Sequence, residues 1–191
     1  MSRSVKVLQG VGAKKDSLID QLSDVVTVPR NGIRPWESGW SQARDARDVV
    51  GLSADEPFGV EKIVGFAEEH SEDRGLVGLG GLTDGGGHAL VAARHMSDSA
   101  RRFASARALW RFAATPGERF LLTAAHSDRQ KIERAFAAEL LAPAAGVESF
   151  VSDVDGFVGY EVLELAAEHF GVSPWVIQHQ VENQLELAVT D

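Results

Sequence analysis

The sequence contains no cysteine. That removes thiolate nucleophiles, disulfides and cysteine-held zinc together, while leaving the redox compartment open. No apolar run approaches the ~18 residues of a membrane span, so no transmembrane helix is expected. The polar start "MSRSVKVLQG" does not read as a secretory signal, and a cytoplasmic protein is the expectation. No GxGxxG is present, and no helix directly follows the glycine-rich "GLVGLGGL" and "TDGGG", which therefore read as turns and bulges rather than a phosphate cradle. A GxSxG elbow is missing as well. Of the histidines, His70, His88, His95, His126, His169 and His179, no two stand four apart. His126 with Asp128, and His88 with His95, are the pairs that folding could still bring together.

Basic residues are missing from a whole region. After Arg134 there is no Lys or Arg, while ten Asp or Glu follow; up to that point 19 basic residues face 18 acidic ones, and the total is −9. The last third is thus an acidic module, poorly suited to a phosphate backbone.

What is present fits one domain of ordinary soluble composition, since 191 residues can bury a sizeable core. Residues 1–35 read as an N-terminal appendage and linker, with a possible strand in "VKVLQ", a possible helix from Lys15 to about Val25, and the linker "VPRNGIRP". Residues 36–191 read as the main domain, with 144–191 its acidic helical part. Trp36, Trp40, Ala43 and Ala46 recur at helical spacing after Pro35, and a second helix is expected over Val60 to Glu69. "GLVGLGGL" and "HALVAA" then read as a hairpin. Helices are expected from about Ser97 to Ala114, from Ser127 with Ile132, Phe136 and Leu140 at four-residue steps until Pro143 ends it, and as a closing pair. In that pair the first helix ends at Gly171, and Ser173 and Pro174 open the second, whose Ile177 and Val181 face inward. Its spacing fits a helix-turn-helix, and Gln178 and Gln180 could contact adenine. The segment offers no cation for phosphates, however, so DNA is not the expected partner.

The stretch "ARRFASARALWRFAA" carries Arg107 and Arg111 one helical turn apart beside Trp110. From Trp36 onward, "PWESGWSQARDARDVVGL", the hairpin, "RRFASARALWRF", "ERAFAAELLAP" and "LAAEHFGVSPWVIQHQV" together resemble the ImmA/IrrE-type metallopeptidases. The resemblance implies an α+β, mainly helical, zincin-like metallopeptidase fold. A small sheet or hairpin would precede the active-site-type helix, and a helix-turn-helix-like pair would close the chain. In that family the helix supplies two zinc-binding histidines four apart, with a glutamate between them as general base. Aligned on Phe103 and Leu109, those histidine positions hold Arg107 and Arg111, the glutamate position holds Ala108, and Trp110 replaces a small residue. Ile132 stands where a third-ligand glutamate is expected, with Glu133 one position out of register.

Arginine stays protonated and offers no acceptor to a cation, so neither zinc nor another cofactor is expected. The expectation is a catalytically inactive, regulatory or protein-binding relative of these peptidases. Arg107 and Arg111 would either pair internally, with Glu133 or Asp128, or form an exposed pair that grips a carboxylate or phosphate with Trp110 as an anchor. The family context implies a partner such as a transcription repressor or a phage or mobile-element regulator, whose strand would add to the hairpin edge around Leu76–Ala93. The acidic last third would face a basic partner surface. A zinc peptidase with non-standard ligands, and a DNA-binding regulator, are the alternatives.

Overall fold

The computed structural model describes residues 16–28, 33–69, 75–93, 95–152 and 157–190. The strand expected in "VKVLQ" lies outside them. Among the described residues the chain is α+β, with seven α-helices and two small sheets.

Helix α1 (Asp16–Ser23) carries Ile19 and Leu22 into the core, with Val26 just beyond its end. Helix α2 (Pro35–Val50) opens on proline, whose fixed φ suits a first turn. It closes at Gly51 with φ 70°, and the Leu52 amide bonds the Arg47 carbonyl at 3.0 Å. Glycine adopts that left-handed conformation without the strain a side chain would bring.

The helix expected over Val60 to Glu69 does not form. A short 3₁₀ turn (Val60–Lys62) leads instead into strand β1 (Gly65–Glu68). The apolar spacing of Val60, Ile63 and Val64 imitates a helix face, but one tight turn and the approach to a strand bury all three. Backbone pairing of β1 with a distant strand then overrides local preference.

The expected hairpin is present as β2 (Leu76–Leu82) and β3 (His88–Ala92), antiparallel with Leu79 opposite Val91. Strand β4 (Phe120–Thr123), unanticipated from sequence, completes a sheet of order β1-β3-β2-β4 in which only the β1–β3 pair is parallel. The glycines of β2 serve packing. A Cβ on Gly80 would lie 2.1 Å from the Phe120 ring, and one on Gly78 would lie 2.7 Å from the Val91 carbonyl oxygen.

Helix α3 (Asp98–Ala114) starts at Ser97, whose hydroxyl accepts the Ala100 amide at 3.3 Å. Every residue from Ala104 to Ala113 is buried. A helix covered on all sides is a core helix. Helix α4 (Asp128–Leu141) opens with a capping box between Ser127 and Gln130. Gly39 of α2 packs directly onto it, because a Cβ there would lie 2.6 Å from the Ile132 carbonyl oxygen.

Helix α5 (Ala144–Val151) and the parallel pair β5 (Phe157–Gly159) with β6 (Ala188–Thr190) were not anticipated. Helices α6 (Tyr160–Phe170) and α7 (Pro174–Gln184) match the expected closing pair, with Gly171 at φ 65° between them. Among the described residues no helix is long and apolar enough to cross a membrane.

Candidate functional site

Three side chains meet where α3 crosses α4. Arg107 and Arg111 project from one face of α3, as their spacing requires, and Glu133 reaches them from α4. One carboxylate oxygen, Oε2, lies 3.1 Å from Arg107 Nη2, and Oε1 lies 3.7 Å from Arg111 Nη1. Arg107 Nη2 also donates to the Thr123 carbonyl of β4 at 3.1 Å. The Arg111 guanidinium sits over the Phe120 ring, 5.0 Å from its centroid, which accommodates positive charge on the π face.

The cluster is closed to solvent: Arg107 is 5%, Arg111 8% and Glu133 2% exposed. Burial lowers the pKa of both guanidiniums, and Glu133 opposes that shift. Burial likewise pushes the Glu133 carboxyl above its usual range, against the pull of Arg107 and then Arg111. Two cations share one anion, so a formal positive charge is left in the interior. Among the described residues the Nε atoms of Arg107 and Arg111 have no hydrogen-bond partner. Such an arrangement is poor in net stability, because each buried ion forfeits several kcal/mol of hydration.

Of the two pairing options read from sequence, the internal one with Glu133 is observed. Asp128 instead lies exposed beside Lys131, at 2.9 Å. The exposed arginine pair that would grip an anion is ruled out by burial. Trp110 is no anchor for a ligand either: it is fully buried, and its indole N–H donates to Gln42 Oε1 at 2.9 Å. Ala108 is also buried, and Ile132 packs into the core. Glu133, the residue out of register in the family alignment, is the one whose carboxylate reaches the arginines.

A zinc ion does not fit this cluster. Arg107 and Arg111 are protonated guanidiniums, which have no lone pair to give, and Glu133 is already engaged by them. Among the described residues no group of three or more His, Asp or Glu is placed to hold a metal. His95 faces Glu68 at 3.0 Å, His88 stacks edge-on against Phe112 at 4.6 Å, and His126 is exposed. His70 lies outside the described residues.

The partner routes read from sequence change as well. Among the described residues most of the hairpin's edge is already paired, Ala89–Ala92 of β3 with β1 and Leu76–Gly80 of β2 with β4. The carbonyls at and after the end of β4 are also occupied: Arg107 takes that of Thr123, and Arg134 takes those of Ala124 and Ala125. Gln180 is buried, donating to Glu139 at 2.8 Å and to the Ala142 carbonyl at 2.7 Å, so it cannot read a base. Gln178 is tied to Glu182 at 2.8 Å.

Sequence reasoning passed over a second polar junction. Glu139 of α4 accepts from Arg44 of α2 at 2.8 Å, from Gln180 of α7 and from the Ala144 amide at the start of α5. The glutamate of "AAEL" gave no local sign that it would be buried.

Comparison with family models and with curated proteins finds no match to this chain.

Proposed function

We propose that the chain is a catalytically inactive, zincin-like relative of the ImmA/IrrE-type peptidases that acts as a protein-binding or regulatory module. Its partner would be a transcription repressor or a phage or mobile-element regulator. One observation supports the inactive half: Arg107 and Arg111, which stand at the two histidine positions that the family resemblance assigns to the metal site, are buried against Glu133, with Trp110 buried beside them. Hydrolysis by such a scaffold needs a lone-pair ligand set, a base and room for a peptide. Guanidiniums, Ala108 and an indole supply none of these. The partner half rests on the family resemblance alone, since a fold does not fix a function.

Two readouts test the reading. Elemental mass spectrometry of purified protein, chelated and then re-exposed to zinc, should find far less than one zinc per chain and an unchanged fold. An unfolded casein substrate should stay intact with or without zinc. Stoichiometric zinc with chelator-sensitive cleavage would refute the inactive half. Cross-linking in the source cell should recover a transcription regulator reproducibly; recovery of none would refute the partner half.

A further inference from the structure

Three of the four tryptophans converge on one open cleft between α2, α4 and α7. Trp36 and Trp40 line it from successive turns of α2, and Trp175 lines it from the first turn of α7. Ala135 and Ala138 of α4, with their short side chains, also line it. Trp175 is 58% exposed and Trp36 38%. Large aromatic surface left in water around a concavity marks a binding site more often than chance exposure does. The cleft encloses about 370 Å³. That lies in the ~300–1,000 Å³ range of small-molecule sites, which are mostly apolar with a few placed polar groups.

The charge of the lining is the second observation. The chain carries −9 overall, yet among the described residues the cleft is lined by Lys131 and Arg134 and by no Asp or Glu. Arg134 is held in place by the carbonyls of Ala124 at 3.1 Å and Ala125 at 2.5 Å. Lys131 is 2.9 Å from Asp128, an exposed pair that a ligand can displace at small cost. The Trp175 indole is braced edge-on by His179, with centroids 3.9 Å apart.

We infer that this cleft binds a small organic acid with a flat aromatic body, its ring between the tryptophans and its carboxylate or phosphate on Lys131 and Arg134. Indole faces also attract cations, but Lys131 and Arg134 in the lining favour an anionic ligand. The site uses none of the side chains of the arginine–glutamate cluster, so it stands or falls separately from the proposed function.

Isothermal calorimetry with 1-naphthylacetate, its neutral amide and 1-naphthylmethylamine tests it. The acid should saturate one site below millimolar concentration, with the amide about tenfold weaker and the amine no tighter than the amide. Trp175→Ala, at an exposed position, should weaken the acid about tenfold at unchanged urea midpoint. Lys131→Gln should weaken the acid while leaving the amide unaffected. No saturation by several millimolar acid, equal binding of all three probes, or acid binding indifferent to Trp175→Ala would overturn the assignment.

Discussion

Glu133→Gln is the sharpest perturbation of the buried cluster. The substitution keeps the shape of the side chain and removes the single negative charge shared by Arg107 and Arg111. At separations of 3.1 and 3.7 Å, each pair attracts by about 4–5 kcal/mol at an effective dielectric of ~20. Most of that only offsets desolvation. The loss is nevertheless large, because both guanidiniums remain buried without the carboxylate that contacts them. Breaking a buried pair in this way costs about 3–5 kcal/mol, against about 0–1 kcal/mol for an exposed one. Urea unfolding should therefore show Glu133→Gln losing about 3 kcal/mol or more, a large part of the ~5–15 kcal/mol typical of a domain.

Replacing the whole cluster should behave in the opposite sense. Arg107→Met, Arg111→Met and Glu133→Leu together should be neutral or stabilising by about 1–4 kcal/mol, since no ion is left uncompensated. Arg107→Met combined with Glu133→Gln should likewise cost less than the sum of the two single changes. A loss below about 1 kcal/mol for Glu133→Gln would refute the reasoning, for it would mean that the charges are solvated.

Three further outcomes are expected. Trp110→Phe removes the donor to Gln42 Oε1; because the Thr27 amide still reaches that oxygen at 3.3 Å, the cost should fall at the low end of ~1–3 kcal/mol in urea unfolding, and a loss above that range would point to a packing defect. Installing Arg107→His, Ala108→Glu and Arg111→His should not produce cleavage of unfolded casein while Trp110 and Ile132 remain, and a working peptidase would show that the cleft is not filled. The Ser53 hydroxyl and amide bond Glu56 at 2.7 and 2.9 Å and hold its carboxyl below the usual range. With the folded value depressed, this contribution is present above the usual carboxylate range and is lost as pH falls through the folded value. Ser53→Ala should move the Glu56 midpoint up in carboxyl NMR titration, and an unmoved midpoint would show that the bond does not form.

Sequence alone determined the features whose causes are local. Ser97, Ser127, Gly171 and Pro174 mark helix ends through bonds and dihedrals within a few residues of themselves, and these helices lie where they were expected. The apolar spacing of Ile177 and Val181 likewise placed an inward face. The spacing of Arg107 and Arg111 fixed that the two charges share one side of a helix, and their chemistry alone argued against a metal.

Tertiary structure decided what depends on distant partners. Val60 to Glu69 has a helical pattern, yet pairing with β3 draws its second half into a strand, and β4 is stabilised as a strand by β2. Most of the hairpin's edge is paired for the same reason, which no local signal announces. The choice of Glu133 over Asp128 depends on how α4 packs against α3. The burial of Trp110 and the convergence of Trp36, Trp40 and Trp175 are also products of helix packing. Neighbours along a helix follow from its 3.6-residue period, whereas neighbours across helices follow only from how whole surfaces fit together.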